Sequence, residues 1–344
     1  MLNIIKKILP DAYELLLRRN KILEVVYENS PIGRRLLAEK VQLTERVIRN
    51  EIEILKKQNL LSTTRKGMYL TEEGMKSLEE LDQFFNEIFY LKDLENQLTE
   101  FLDIQSCVIV PGNLDQDKNV LSLISDKAVE VVDKVLGNGK QIITVMGGTT
   151  LKEVANHMTP GLAINRELLF VPARGGLGDE ARIEANIIAQ KMADQTGGSS
   201  HGLYAPEHVH QETHKELLKE PEIKKPLQLI EKASLILYSI GRPFIMAERR
   251  GLNEETIQFL KEKNAVAEAF GEFIDEDGNI VLKLPNIGLQ SSALDQIENI
   301  VTVAGGKEKA QAICSYLKTA PSHTWLITDA AAAKEILNRG NPLK

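Results

Sequence analysis

Apolar residues recur every three or four positions along the first part of the chain, which is the spacing of helices that bury one face. Three such helices are predicted, at residues 13–27, 34–41 and 45–55. Ser30-Pro31 supplies an N-cap and a first-turn proline for the second helix, and Thr44 caps the third. Two helices joined by a tight turn, the second with exposed Arg and Asn in its first two turns, predict a helix-turn-helix.

A segment of alternating apolar and polar residues follows these helices. Residues 62–70 alternate loosely around a basic tip, Arg65-Lys66-Gly67, and this predicts a β-hairpin. A helix, a helix-turn-helix and a hairpin in this order predict a winged-helix domain over residues 1–76. The alternative is a small helical domain used for protein contacts.

Seven polar side chains of this domain are expected to contact DNA. Three of them suit base edges, because Arg pairs with guanine and Asn with adenine in the major groove; they are Arg46, Arg49 and Asn50. Four cations suit the phosphate backbone; they are Arg34, Arg35, Arg65 and Lys66.

A long apolar stripe follows Thr71, which is the predicted N-cap of a helix that reaches residue 103. One domain cannot easily bury so long a stripe. Residues 77–103 therefore predict a connecting helix that pairs two chains, and an even-numbered homo-oligomer, a dimer or a tetramer, would match two DNA half-sites. The alternative is a helix that lies flat on its own C-terminal domain.

From residue 104 to residue 344, apolar runs of strand length alternate with helical patterns. Strands are predicted at residues 106–110, 142–146, 167–171, 235–240, 300–304 and 325–328. Helices are predicted at residues 120–136, 151–158, 181–192, 254–261, 307–317 and 330–337. Because the strands are apolar on both faces, the pattern predicts an α/β domain with a parallel, doubly wound sheet. Ligands of such sheets bind beyond the carboxyl ends of the strands.

Three loops that contain glycine fall at that edge. They are Gly147-Gly148-Thr149-Thr150, Arg174-Gly175-Gly176-Leu177-Gly178-Asp179 and Gly305-Gly306-Lys307-Glu308-Lys309. Each stands between a strand and a helix. In the first loop, the turn aims free backbone N–H groups at an anion, and Thr149 or Thr150 would also cap its helix. A single loop could be a plain strand-to-helix turn, but three, two of them with cations, predict a phosphate site. The loops lack the P-loop motif, and the first lacks the dinucleotide motif, so no cofactor is expected.

Further charged residues follow the later strands. Arg249-Arg250-Gly251 adds cations, and Glu268 could either accept sugar hydroxyls or pair with one of these arginines. Residues 275–279 predict a hairpin turn, since they lack the ligand spacing of a calcium loop.

The histidines do not indicate catalysis or metal binding. His210 and His214 lie four residues apart with His208 nearby, but the residues between them do not match His-Glu-x-x-His, so a solvated helix face is expected. No Ser/His/Asp order stands out, and no histidine falls in the glycine loops to act as a base. We therefore predict no catalytic residue and no metal site.

Charge changes this picture because it is unevenly distributed. The net charge is −7, yet residues 1–76 hold 15 Lys and Arg against 10 Asp and Glu. This balance indicates that only the N-terminal segment meets DNA, although a solvated basic helix face has the same composition. No apolar run of about 18 residues occurs, so we expect a cytoplasmic protein without a membrane partner. Cys107 and Cys314 lie in apolar runs and are expected to be buried thiols without a disulfide.

Four stretches resemble the SorC family of bacterial transcription regulators. They are Pro31-Ile32-Gly33-Arg34-Arg35, Thr44-Glu45-Arg46-Val47, Gly147-Gly148-Thr149-Thr150 and Glu167-Leu168-Leu169-Phe170-Val171-Pro172-Ala173-Arg174-Gly175-Gly176-Leu177-Gly178. The resemblance covers essentially the whole chain, and the last stretch is its most specific part. It implies a repressor whose winged helix binds an operator, and whose Rossmann-like C-terminal domain, similar to sugar-phosphate isomerases and deaminases, binds a phosphorylated sugar as inducer.

Within the family, the similarity is greatest to a regulator of glycolytic genes. This implies fructose-1,6-bisphosphate as the inducer, with hexose and triose phosphates as weaker candidates. The resemblance gives one phosphate to Gly148, Thr149, Thr150 and Lys309. It assigns Arg174 and Arg249 to the other phosphate or to the sugar.

The resemblance also points to two carboxylates. Glu268 would accept sugar hydroxyls. Glu184 stands where a family member has an uncharged polar residue, and an acid beside a phosphate is unfavourable. The related enzymes carry an acid-base carboxylate and a histidine at the glycine loops, and no equivalent pair occurs here. The sequence therefore favours a sensor, and a sugar-phosphate isomerase or deaminase with an accessory head is the rival hypothesis.

Overall fold

The apolar residues of the chain gather into cores within two units, Met1–Tyr90 and Leu91–Lys344. The computed structural model describes residues 8–176, 184–205 and 216–339, apart from the side chains of residue 13 and residues 82–89. Within these described residues, no helix is both long and apolar enough to cross a membrane.

The first unit consists of helices and one hairpin. Its elements are α1 (Pro10–Asn29), α2 (Arg34–Lys40), α3 (Glu45–Lys57), β1 (Leu61–Thr64) and β2 (Gly67–Leu70). The two strands pair antiparallel. One side chain of each helix, Ile22, Leu37 and Ile48, is fully buried in a core that includes Met68 of the hairpin. The predicted order of helix, helix-turn-helix and hairpin is confirmed.

Of the two N-caps predicted for α2 and α3, the structure shows one and not the other. Thr44 caps α3 as predicted, because its Oγ1 accepts a hydrogen bond from the N–H of Val47 at 3.4 Å. The prediction for Ser30-Pro31 was wrong, since the N-cap of α2 is Gly33. The Ser30 hydroxyl instead donates to the carbonyl of Val26, so it terminates α1.

Helix α4 (Glu72–Leu102) follows the hairpin, and Thr71 caps it by accepting from the N–H of Gly74 at 3.0 Å. Its apolar residues belong to two different cores. Leu78 packs in the first unit. Leu94 and Leu98 are buried in the second unit, so this part of the helix lies on its own C-terminal unit, which was the alternative interpretation. Pairing of two chains along α4 stays a prediction.

The second unit is an α/β sandwich. Its strands are β3 (Ser106–Val110), β4 (Gly139–Val145), β5 (Arg166–Pro172), β6 (Ser199–Ser200), β7 (Leu235–Tyr238), β8 (Ala267–Ala269), β9 (Glu272–Ile274), β10 (Ile280–Lys283), β11 (Asn299–Val303) and β12 (Thr324–Asp329). Its further helices are α5 (Asn119–Val135), α6 (Thr149–His157), α7 (Ala185–Thr196), α8 (Pro221–Ile230), α9 (Pro243–Arg249), α10 (Glu254–Glu262), α11 (Ala310–Leu317) and α12 (Ala330–Arg339).

Seven of these strands form one parallel sheet in the order β3-β12-β11-β7-β4-β5-β6. The chain runs outward from β4 to β6 and then returns to β7 on the other side of β4. This is the reversal that defines a doubly wound sheet, so the predicted fold class is confirmed.

Several short elements were not predicted. They are β6, β8, β9, β10, α8 and α9. The strands β8, β9 and β10 form a small antiparallel sheet, and the β9–β10 turn is the predicted hairpin. The carboxylate of Asp275 shapes that turn by accepting from the N–H groups of Asp277 at 3.0 Å and Asn279 at 2.8 Å. Residues 307–317, predicted as one helix, are the 3-10 turn Lys307–Lys309 followed by α11.

Strand β3 lies at one edge of the parallel sheet, and α4 covers it. The N–H of Cys107 donates to Thr99 Oγ1 at 2.9 Å, and the N–H of Ile109 donates to Glu95 Oε1 at 3.0 Å. Side chains of the helix thus take the place of a neighbouring strand. Cys107 is buried and Cys314 is half-buried, and both are free thiols.

Candidate functional site

A cavity of about 230 Å³ opens at the carboxyl edge of the parallel sheet, where the strand order reverses between β4 and β7. Seven of the eight side chains or glycines predicted to bind the effector line it. They are Gly148, Thr149, Thr150, Arg174, Arg249, Glu268 and Lys309. The exception is Glu184, which is the N-cap residue of α7.

The loop after β4 forms one wall of the cavity through its backbone. Gly148 is the N-cap of α6, with φ +126° and ψ 160°, a conformation that is essentially restricted to glycine. The helix begins at Thr149, and no side chain caps it, so the prediction that a threonine caps this helix was wrong. The first N–H groups of a helix have no partner inside it, so they are available to an anion.

Arg174 lies at the end of β5 and is only 3% exposed. A neighbouring segment fixes its backbone, because Arg174 forms an antiparallel bridge with Gly288 and the N–H of Leu289 donates to the carbonyl of Ala173 at 2.7 Å. A Cβ atom on Gly288 would lie 2.3 Å from that carbonyl oxygen, so the close approach requires glycine. The later residues of this predicted loop, including Gly178, lie outside the described residues.

The loop after β11 is held by a buried carboxylate from the end of β12. Asp329 Oδ2 accepts from the N–H of Gly306 at 2.6 Å and from the N–H of Leu114 at 3.2 Å. Its Oδ1 accepts from the N–H of Ala332 at 2.7 Å and so caps α12. One side chain therefore joins the loop, the segment after β3 and the last helix.

A second carboxylate fixes the other end of this loop, where Lys309 enters the cavity. Asp115 Oδ2 accepts from the N–H of Glu308 at 2.9 Å. Burial and the guanidinium groups of Arg242 and Arg249 lower the pKa of Lys309 to about 8, and Asp115 opposes them. Cations that destabilise one another in this way form a site that favours an anion.

The neighbours of Glu268 confirm that it pairs with an arginine, and its role toward a sugar stays a prediction. Arg250 Nη2 donates to Glu268 Oε1 at 2.7 Å, and the N–H of Gly271 donates to the same oxygen at 2.8 Å. Both side chains of this ion pair are buried. Glu268 therefore pairs with an arginine and also lines the cavity. The adjacent Arg249 is exposed and lines the cavity, so the two successive arginines differ in position.

The sequence did not reveal part of the wall that follows β7. It includes Gly241 and Arg242, which lie directly before α9. The pattern of strand, glycine, cation and helix was present, but no helix was predicted over α9, so this loop was not recognised. Gly241 exchanges two backbone hydrogen bonds with Glu268, at 2.8 Å and 3.0 Å, which joins this wall to the small sheet.

One histidine has serine and aspartate partners. His157 Nε2 lies 3.3 Å from Ser122 Oγ, and His157 Nδ1 lies 2.6 Å from Asp126 Oδ1. Ser122 and Asp126 lie on α5 and His157 lies on α6, so these contacts join the two helices. None of the three residues lines the cavity. The predicted histidine helix around His210 lies outside the described residues. Over the described ranges, no group of three or more His, Cys, Asp or Glu could hold a metal.

The seven side chains predicted to contact DNA are all exposed on the first unit. On the opposite face of α3, the carboxylate of Glu51 is buried and pairs with Arg19 at 2.8 Å and Arg18 at 3.6 Å. This ion pair fixes α3 against α1. It was not predicted, because an acidic residue on a helix gives no sign of a partner 32 residues away.

Comparison with known proteins agrees with both units. Residues 15–85 match the family model described as "CggR N-terminal DNA binding domain", and residues 86–338 match the one described as "Putative sugar-binding domain". A DNA-binding domain and a sugar-binding domain in one chain define a transcriptional regulator. The chain belongs to the SorC family of such regulators, which confirms the resemblance noted in the sequence.

Three relatives illustrate this similarity. The central glycolytic genes regulator of Bacillus subtilis (strain 168) is 40% identical over 332 residues, which cover 96% of this chain and 97% of the relative. The regulator of the same name from Priestia megaterium is 37% identical over 341 residues, 99% of each chain. A SorC family regulator from Enterococcus faecalis is 47% identical, with a TM-score of 0.68 over 71% of this chain and 99% of that one.

Proposed function

We propose that this chain is a repressor of central glycolytic genes that is released from its operator by fructose-1,6-bisphosphate. The observation that carries the proposal is the cavity at the switch point, which combines a helix N-terminus with several cations. The names of the two relatives support the choice of genes.

The cavity has the chemistry for a ligand with two phosphates. Backbone N–H groups at the start of α6, the hydroxyls of Thr149 and Thr150, and the ammonium of Lys309 would bind one phosphate. Arg174 and Arg249 would bind the other, since arginine suits phosphate oxygens. Each phosphate carries about −1.5 to −2 charges at pH 7, so a bisphosphate balances the cations better than a monophosphate.

The sugar between the phosphates needs a hydroxyl acceptor and no acid-base pair. Glu268 is the carboxylate of the cavity wall, and its Oε1 is already held by Arg250 and a backbone N–H. No histidine is among the described residues that line the cavity. These features suit a sensor better than an isomerase or deaminase.

The proposal assigns DNA binding to residues 1–76, oligomerisation to residues 77–103 and effector binding to residues 104–344. A dimer or tetramer would present paired winged helices to two half-sites. The effector would favour an arrangement in which those helices no longer match the operator, and operator DNA would weaken effector binding by the same factor.

The test measures DNA and effector binding of the full-length protein. DNA from upstream of the glycolytic genes should be bound, and fructose-1,6-bisphosphate should release it and raise the melting temperature. Arg174→Ala and Arg249→Ala should abolish the effector response while DNA binding remains. If no sugar phosphate changes either quantity, the effector assignment is wrong. Turnover of a hexose phosphate that Arg174→Ala abolishes would support the enzyme hypothesis instead.

The DNA face can be tested in the same assay. Substituting Arg46, Arg49 or Asn50 by Ala should cost about 1–3 kcal/mol of operator binding and relax base preference. Substituting Arg65 or Lys66 should weaken binding to all sequences and reduce the slope of log K against log salt by about one. All five variants should retain the melting-temperature shift with the effector, because the substitutions lie outside the second unit.

A further inference from the structure

Arg242 lines the cavity, but neither the sequence motifs nor the family resemblance gave it a role. It is the N-cap residue of α9, and the carbonyl of Arg242 accepts from the N–H of Met246 at 3.1 Å. The preceding Gly241 is fixed by its two backbone hydrogen bonds to Glu268. The backbone on both sides of Arg242 is therefore fixed, so its side chain leaves the cavity wall from a defined position.

This guanidinium forms an ion pair with Glu308. Glu308 does not line the cavity, so it neutralises Arg242 from outside. Its own backbone is held by Asp115, and its neighbour in the same 3-10 turn is Lys309. Glu308 and Lys309 thus belong to one short 3-10 turn whose backbone is held in place.

The balance of charges decides what Arg242 can do. The side chains of Arg242 and Glu308 are 41% and 60% exposed, and exposed ion pairs of this kind are weak. A phosphate bound by the fork of an arginine is a stronger partner. Arg242 and Arg249 both stand close enough to Lys309 to disfavour its positive charge, which adds to the advantage of an incoming anion.

We propose that Arg242 binds the second phosphate of the effector and that Glu308 competes with this phosphate for the guanidinium. The inference rests on the proposed function and adds a specificity determinant to it. A sugar with one phosphate leaves Arg242 paired with Glu308. A sugar with two phosphates gains Arg242 but must break that pair. Glu308 therefore lowers the affinity for the doubly phosphorylated ligand and raises the concentration at which the protein responds.

Isothermal titration of the full-length protein with fructose-1,6-bisphosphate, fructose 1-phosphate and fructose 6-phosphate tests this inference. Arg242→Gln should weaken bisphosphate binding by about tenfold, because it removes a charged, forked donor. Glu308→Gln should tighten it by about two- to fivefold, which is the range expected for loss of an exposed ion pair. Binding of both monophosphates should change by less than about twofold in either variant.

The double variant separates direct competition from a general effect of charge. If Glu308 acts through Arg242, the Arg242→Gln/Glu308→Gln protein should bind the bisphosphate as weakly as Arg242→Gln alone. A tightening by Glu308→Gln that persists without Arg242 would show a long-range charge effect and overturn the inference. An unchanged bisphosphate affinity in Arg242→Gln would also overturn it.

Two further variants complete the design. Glu335→Gln is a control that removes the same charge. The Glu335 carboxylate pairs at 3.5 Å with Lys307, which lies on the same 3-10 turn as Glu308, and neither Glu335 nor Lys307 lines the cavity. This variant should leave bisphosphate binding unchanged. Arg242→Lys retains the charge without the fork and should bind with intermediate affinity. Absence of bisphosphate binding by the wild-type protein would overturn the proposed function itself, whereas normal wild-type binding with unaffected variants overturns the role of Arg242 and Glu308 alone.

Discussion

Two of the loops at the edge of the same sheet begin with a Gly-Gly pair, yet they are held in opposite ways. The loop at residues 147–150 is capped by no side chain, and its shape follows from the backbone conformation of Gly148. The loop at residues 305–309 is held by the carboxylates of Asp329 and Asp115, which come from distant parts of the chain. A pair of glycines marks a turn but does not determine what stabilises it.

The difference also decides what each loop can offer a ligand. In the loop at residues 305–309, the N–H groups of Gly306 and Glu308 are consumed by the two carboxylates. This loop therefore contributes the side chain of Lys309, and the loop at residues 147–150 contributes backbone.

The largest effect expected from this comparison is that of Asp329→Asn. The amide of Asn accepts less strongly than a carboxylate from the three backbone N–H groups, and its own NH2 group would face one of these donors. The free energy of unfolding, measured in urea, should therefore fall by about 3 kcal/mol. Asp275→Asn is the matched control, because Asp275 also accepts from backbone N–H groups but in an exposed turn, and its loss should be much smaller. Equal losses of unfolding free energy in the two variants would contradict the view that burial makes Asp329 the more important carboxylate.

Gly148→Ala should have the next largest effect. A Cβ atom at Gly148 would meet no atom within 4 Å, so the cost comes from the backbone conformation alone and should be about 2 kcal/mol. The shifted backbone should also abolish effector binding. Gly139→Ala is the control, since Gly139 has φ +81° and equally open space at the other end of β4. It should lose stability but bind the effector normally.

The dependence of effector binding on pH tests the side-chain contribution of the loop at residues 305–309. Since the pKa of Lys309 is lowered to about 8, the free protein loses this charge above pH 8 and must regain a proton to bind phosphate. The phosphates of the ligand have a second pKa of about 6 and are already ionised. Affinity should therefore fall by roughly tenfold between pH 7 and pH 9. Lys309→Arg should bind with little dependence on pH, and a flat wild-type profile would contradict the prediction.

The smallest effect is expected from Asp115→Ala. Loss of its hydrogen bond to the N–H of Glu308 should cost about 1 kcal/mol in unfolding experiments and should weaken effector binding by releasing the turn that carries Lys309. Asp117→Ala removes a similar bond within the same segment, to the N–H of Asn119, but does not touch the loop at residues 305–309. It should lower stability without weakening effector binding.

Local patterns were sufficient to predict the main elements. The helix-turn-helix, the hairpin and the parallel sheet follow from apolar periodicity, which reflects burial within each element. The residues around the cavity were found because glycines and cations follow successive strands. What could not be predicted depends on contacts across long stretches of chain, such as that between Glu51 and Arg19 or between Asp329 and Gly306. Arg242 was missed for a local reason, because no helix was predicted after the strand at residues 235–240, so the loop that carries Arg242 was not recognised.

The cover that α4 places over β3 has a consequence for association between molecules. The outer edge of a sheet normally presents N–H and C=O groups that can recruit a strand from another molecule and start aggregation. Here Thr99 and Glu95 already occupy the N–H groups of Cys107 and Ile109. The opposite edge is β6, a strand of only two residues. Extension of the parallel sheet from one copy to another is therefore disfavoured at both edges.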